Sequence, residues 1–317
     1  MQLNLLKIEK QMLYSIMKVL ITGGSGLVGS ELTKQLKSRG HEVVWLSRTA
    51  GIKNNVTCYA WDYKNNFIDP AAFSGVTHIV HLAGAGVFDK RWSETYKKEI
   101  YDSRIKTTKL LAEKTVGIAG LQAFVSGSAI GIYGNSMNDR MLEENTPAGN
   151  DFLAEVTKDW EDATALFEQR SVRTVKIRTG IVLAKHAGAL PAMITPIKYG
   201  IGSPLGTGKQ IISWIHIKDL CGIFAKAAED ESMHGAYNGA APYPVSNEEF
   251  TKTAAIILHK PLVLPNVPAF AMNIVLGKEK AASVIEGIAV SALRIQKQGF
   301  AFKYPRLKEA LSDLLIQ

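Results

Sequence analysis

The sequence predicts an α/β protein: a Rossmann-type, doubly wound parallel sheet with a smaller, mostly helical C-terminal substrate domain. Three observations carry this. An apolar run at residues 19–21 breaks into glycines, and an apolar-periodic stretch at 27–36 follows at once, giving the order strand, tight turn, helix. Strand-like runs then alternate with helical periods up to Leu183, the rhythm of βαβ units. Beyond Leu183 the rhythm changes to short helices and a glycine-rich loop at 200–208. The boundaries drawn on this basis are 1–16 for an N-terminal extension and 17–185 for a dinucleotide-binding domain. Residues 186–317 form a mixed region that completes the sheet and builds the substrate domain.

The glycines of the first turn fall at Gly23, Gly26 and Gly29, a G-x-x-G-x-x-G spacing. Small residues let the backbone turn sharply and approach a pyrophosphate. The helix N-terminus then offers unpaired N–H groups and a partial positive charge to that anion. Gly23, Ser25, Gly26, Leu27, Val28 and Gly29 are the expected phosphate-facing set. Glycine is also selected by bare turns and close packing, so the strand before and the helix after decide the reading.

The second strand, residues 41–47, ends in Ser47 and Arg48, where an NAD-preferring fold carries Asp or Glu for the ribose 2′-OH. No carboxylate repels a 2′-phosphate here, and a guanidinium beside a hydroxyl can grip one, so the expected cofactor is NADP. The third strand, 57–62, closes on Asp62, near where an adenine would lie. The fourth, 77–84, is nearly all apolar, as a parallel strand buried on both faces should be. Its end, Leu82, Ala83 and Gly84, leaves room for a flat ligand, and His81 within it reads as a satisfied core residue. A helix at 93–115, a strand at 121–126, a helix at 152–169 and a strand at 172–178 complete the alternation. Later, residues 189–199 read as a helix, and another is expected to start at 214–219. Gly206, Gly208 and Lys209 have the look of a phosphate loop, but Ser203 and Gln210 break its pattern.

The net charge of +8 invites a nucleic-acid partner, yet the basic residues are scattered and the densest clusters are pairs such as Lys90-Arg91 and Lys97-Lys98. A solvated basic surface accounts for them; the expected partner is a small-molecule substrate, with no nucleic acid. No apolar run is long enough to span a bilayer, so no membrane is expected either. The two cysteines, Cys58 and Cys221, make no metal spacing and read as buried residues of a reducing, cytoplasmic setting. Residues 1–16 fit no part of the sheet pattern and are expected to be dispensable, either upstream translation or a loosely packed helix.

Taken together, Thr22 to Gly29, Lys90-Arg91-Trp92, Ser103-Arg104, the run 126–134, Trp160-Glu161, the run 204–206, Trp214-Ile215-His216 and the run 299–305 resemble an extended short-chain dehydrogenase/reductase. Within it they resemble the atypical branch called SulA-like or YfcH-like epimerase-family proteins, which includes the NADP-dependent oxidoreductases numbered family 39U. The resemblance implies that Ser47, Arg48, Leu82, Glu99, Arg104 and Val182 touch NADP. Glu99 either accepts a ribose hydroxyl or holds Arg104. It also places Ser128 in the superfamily's catalytic serine slot. The usual Tyr-x-x-x-Lys pair, whose lysine lowers the tyrosine pKa for proton transfer, falls at 152–157 and is missing. Tyr133 is the nearest phenol and the candidate acid, with packing under the cofactor as its other explanation. Lys90, Arg91 and Trp92 are candidates for substrate contact, or else a helix entry with solvated charges and a packed Trp. The expected function is an NADP(H)-binding oxidoreductase or epimerase-like enzyme on a small polar substrate. The alternative is a cofactor-binding sensor without turnover.

Overall fold

A computed structural model of the chain describes residues 16–134 and 140–316. Apart from Ile16, the N-terminal extension lies outside the described residues. The strands are β1 (Lys18–Thr22), β2 (Glu42–Ser47), β3 (Gly51–Lys53), β4 (Val56–Asp62), β5 (Phe67–Ile68), β6 (His78–His81), β7 (Ala123–Ala129), β8 (Arg173–Thr179), β9 (Ile181–Leu183), β10 (Ile211–Ile212), β11 (Trp214–His216), β12 (Gly235–Gly239) and β13 (Val245–Ser246). The helices are α1 (Leu27–Ser38), α2 (Glu94–Lys114), α3 (Phe152–Ala163), α4 (Ala165–Glu168), α5 (Ala189–Lys198), α6 (Ile217–Glu229), α7 (Asn247–Ile257), α8 (Ala269–Leu276), α9 (Lys278–Ile285), α10 (Leu293–Lys297) and α11 (Leu307–Leu315).

The main sheet runs β12-β8-β7-β6-β1-β2-β4-β3, with β5 beside β4, and only β3 and β5 pair antiparallel. The expected α/β class is therefore the one observed. Chain order reverses around β1, which pairs with β2 on one side and β6 on the other. In such sheets ligands bind outside the carboxyl ends of the strands at that switch point. β12 comes from the C-terminal part of the chain and extends the sheet beyond β8.

Apolar spacing explains how the layers close. On α1 the buried positions Gly29, Leu32, Thr33 and Leu36 make one helical stripe, which packs with α6 over Val19, Ile21 and Trp45. The opposite sheet face buries Leu20, Val44 and Ile79 under Leu110, Leu111 and Phe167, with Phe124 stacked on Phe167 at 3.8 Å. A separate core of Leu190, Ile194, Trp214, Phe250 and Leu311 holds the C-terminal helices together.

Three elements depart from the sequence reading. The helix expected over 152–169 breaks at Thr164, whose hydroxyl donates to the Glu161 carbonyl at 2.6 Å and competes with the helical ladder. Residues 214–216 are strand, and α6 starts only after His216, whose Nδ1 accepts the Lys218 N–H. β3 was not expected: it folds back on β4 through Asn54 and Asn55, both at positive φ (50° and 58°), which asparagine tolerates.

Candidate functional site

Gly23 sits at φ +69°, and its carbonyl accepts the Gly26 N–H at 3.0 Å, closing the turn between β1 and α1. A side chain at Gly29 would begin 2.3 Å from that same carbonyl, so close helix packing demands glycine there. Gly24 presses on Trp45 just as tightly, a requirement sequence spacing did not reveal. Gly26 differs. A Cβ on it would meet only the Gly23 carbonyl, at 3.1 Å, and the residue is exposed with Ser25. No side chain caps α1, and its first turn holds no acid. The turn is thus an open cradle with backbone donors at its floor, which fits a pyrophosphate.

The facing wall is the end of β6. The Leu82 and Ala83 N–H groups both donate to Thr22 Oγ1, at 3.0 and 3.1 Å. That oxygen lies 2.7 Å from His81 Nδ1, and His81 Nε2 lies 3.2 Å from Thr107 Oγ1. Burial pushes the His81 pKa down to about 3, so the ring is neutral. Thr22, already accepting two N–H bonds, gives its proton to Nδ1, and Nε2–H donates to Thr107. His81 is a strut holding the cradle wall. On the third side Gly188, at φ +77°, fits between the Leu27 methyl and the Val182 carbonyl, bringing those two expected residues together.

At the end of β2 the hydroxyl of Ser47 accepts from Lys53 Nζ at 2.9 Å, and so does Thr49 Oγ1. Arg48 is exposed and enters no ion pair among the described residues. Asp62 has a local task instead: its carboxylate accepts from the Lys64 N–H and from Asn65 Nδ2 at 2.9 and 2.7 Å, capping the turn after β4.

Arg104 reaches back from α2 beneath Gly84. Its Nη1 donates to the carbonyls of Ala85 and Ile100, and its guanidinium lies 5.3 Å from the Trp160 ring centre. A side chain on Gly84 would strike it at 3.1 Å. Burial pulls its pKa down to about 10, and no carboxylate pairs with it among the described residues. It is a desolvated cation suited to an anion. Glu99 does not hold it. That carboxylate pairs with exposed Lys90 at 3.6 Å. Trp92 donates its indole N–H to the Val87 carbonyl and packs edge-on against Phe152. Arg91 is exposed near Gly277, and Lys280 of α9 grips the loop through the carbonyls of Phe88 and Lys90.

Ser128 and Tyr133 are brought together, but by a buried network rather than by an open cleft. Ser128 Oγ donates to Glu161 Oε1 at 2.5 Å. Glu161 also takes a bidentate pair from Arg178, Nε to Oε1 and Nη2 to Oε2, each 2.8 Å. Arg178 Nη1 donates to the Tyr133 hydroxyl at 3.0 Å, and that hydroxyl donates to Asn238 Oδ1 at 2.7 Å. All five residues are at most 9% exposed. Burial raises the Tyr133 pKa above the ordinary phenol value even though Arg178 pulls the other way. Where the superfamily carries its Tyr-Lys pair, Leu153 packs near Gly131 and Thr157 donates to the Leu153 carbonyl. The sequence reading quoted Glu161 only as part of a motif and gave Arg178 no role. The signal was available: Glu161 sits on the same helical stripe as buried Ala154 and Thr157.

The sequence profile of the NAD dependent epimerase/dehydratase family matches residues 19–238. The chain belongs to that family. It is an extended short-chain dehydrogenase/reductase, as the resemblance implied, and a domain of unknown function (DUF1731) matches residues 267–314 of the same family member. Curated relatives include the human epimerase family protein SDR39U1, 34% identical over 303 residues that cover 94% of this chain and all of that protein. The chloroplastic homologue from Arabidopsis thaliana is 37% identical over 309 residues, covering 95% and 87%. A crystal structure of the human protein (isoform 2) with NADPH matches at a TM-score of 0.84 and 32% identity, covering 95% of this chain and all of that one. A nucleoside-diphosphate sugar epimerase from Corynebacterium glutamicum matches at 0.79 and 32%, covering 98% of this chain and 61% of that one.

Proposed function

We propose that the chain is an NADP(H)-binding, epimerase-like oxidoreductase acting on a small polar, nucleotide-linked substrate. The observation that carries the cofactor is the end of β2, where exposed, unpaired Arg48 follows Ser47 at the edge of the open α1 cradle. The NADPH-bound human relative and the nucleoside-diphosphate sugar epimerase support the cofactor and the substrate class respectively. Gly26 and the α1 N-terminus would hold the pyrophosphate, Leu82 and Ala83 its far wall, Arg104 a phosphate, and Val182 the nicotinamide end. When bound, NADPH supplies a hydride.

The chain's own chemistry follows from its hydrogen bonds. The Ser128 proton is committed to Glu161, so toward a substrate Ser128 offers lone pairs and orients a hydroxyl. Tyr133 is tied between Arg178 and Asn238 and acts on Ser128 only through Arg178 and Glu161, as a positioning residue. Lys90 and Arg91 present positive charge beside the cleft for an anionic substrate arm. A second reading, an NADP(H) sensor without turnover, is favoured by one observation: neither phenol nor lysine stands on α3 where the superfamily places its proton-transfer pair.

Titration of NADPH and NADH by fluorescence tests the cofactor. The wild type should prefer NADPH at least about tenfold, roughly 1.4 kcal/mol, and Arg48→Ala should lose most of that preference. Equal affinities in the wild type overturn the reading. NADPH oxidation across a panel of nucleotide sugars then separates enzyme from sensor.

A further inference from the structure

We infer that Lys53, on the β3–β4 hairpin, is a second cation of the 2′-phosphate subsite, acting with Arg48, Ser47 and Thr49. The inference rests on the reading that the cofactor is NADP(H). Its ground is a count of donors. A lysine ammonium has three N–H donors and no acceptor. Two of the three go to Ser47 Oγ and Thr49 Oγ1, each at 2.9 Å. The third N–H remains available. Because both hydroxyls act as acceptors toward Lys53, their own protons point elsewhere, and neither has an acceptor among the described residues. Arg48 adds a whole guanidinium without an ion pair. The cluster therefore holds two cations and two hydroxyl donors with no carboxylate bonded to any of them. Such a set suits a phosphate dianion and suits a bare ribose hydroxyl poorly.

The fold places this cluster where the phosphate would arrive. β2 and β1 are parallel, with Leu46 level with Thr22, so Ser47 stands beside the start of the Gly23 turn. The hairpin exists because Asn54 and Asn55 adopt positive φ, and the antiparallel register that follows sets Lys53 opposite Val56. From there its side chain returns to the β2 end. Lys53 itself is exposed, so the amine is open to a ligand.

The test compares NADPH with NADH, and adenosine 2′,5′-bisphosphate with 5′-AMP, on wild type, Lys53→Gln, Lys53→Arg and Lys53→Gln/Arg48→Ala. Lys53→Gln should weaken NADPH and the bisphosphate about tenfold and leave NADH and AMP unchanged. Lys53→Arg should retain most of the affinity, and the double variant should bind NADPH and NADH alike. A Lys53→Gln protein that keeps the wild-type NADPH preference overturns the inference while sparing the cofactor reading. Equal losses on NADPH and NADH also overturn it, showing that Lys53 only braces the hairpin. A wild type without NADPH preference sinks the cofactor reading and this inference with it. Thermal midpoints of each variant confirm folding.

Discussion

Glu161→Gln isolates what the buried network contributes. The substitution keeps size and shape but removes the charge that faces Arg178. Arg178 Nε and Nη2 both donate to Glu161 at 2.8 Å, and the Ser128 hydroxyl donates to it at 2.5 Å. A glutamine amide turns an NH₂ toward one of these donors, leaving it unmet. Arg178 then becomes a cation in a site only 7% exposed, with the Tyr133 hydroxyl and the Glu144 carbonyl as its remaining partners. Breaking a buried pair in this way costs about 3–5 kcal/mol. At roughly 2 °C per kcal/mol for a chain of this size, the thermal midpoint should fall by about 6–10 °C. The Glu161→Leu/Arg178→Met double variant should be no less stable than Glu161→Leu alone, because the second change removes the stranded charge. Circular dichroism melts of the three proteins read this directly. A loss below about 1 kcal/mol for Glu161→Gln, or strict additivity in the double variant, would refute the reasoning.

Ser128→Ala removes one hydrogen bond to a carboxylate, so it should cost about 1.5–3 kcal/mol of stability and leave NADPH affinity unchanged by titration. A drop in NADPH affinity would place the hydroxyl at the cofactor instead. Gly26→Val should abolish cofactor binding in a folded protein, since Gly26 has φ −76° and no neighbour but the Gly23 carbonyl, while the new side chain fills the cradle. Retained NADPH affinity would move the phosphate site elsewhere. Acid should destabilise the fold early. Burial lowers His81 to about 3 and His78 and His216 to about 4, so the unfolded chain, with histidines near 6.5, binds these protons first. Stability from each is complete above pH about 6.5 and declines as pH falls toward the folded values, by up to about 1.4 kcal/mol per pH unit and histidine. Denaturant midpoints unchanged between pH 6.5 and 4.5 would contradict this.

Local pattern was enough for the α/β alternation, the strand-turn-helix around Gly23, Gly26 and Gly29, and the missing carboxylate after Ser47. Each rests on residues within a few positions of one another, where period and turn chemistry act directly. Sequence could also show that α3 lacks the Tyr-Lys pair. It could not show where charged side chains end. Glu99 was weighed as a partner for Arg104 and pairs with Lys90 instead, because the α2 register turns it toward the 86–92 loop. Asp62 was placed by strand order near the adenine, yet its oxygens are taken by Lys64 and Asn65 within the next turn. The meeting of Ser128, Glu161, Arg178, Tyr133 and Asn238 needs β7, β8, β12 and α3 side by side, a contact no local spacing encodes. Sequence alone determined the layers and the cradle, since propensity and apolar period are local properties. Tertiary structure decided the partners of each buried charge and hydroxyl, since hydrogen bonds form between whatever groups the packed layers bring within about 3 Å.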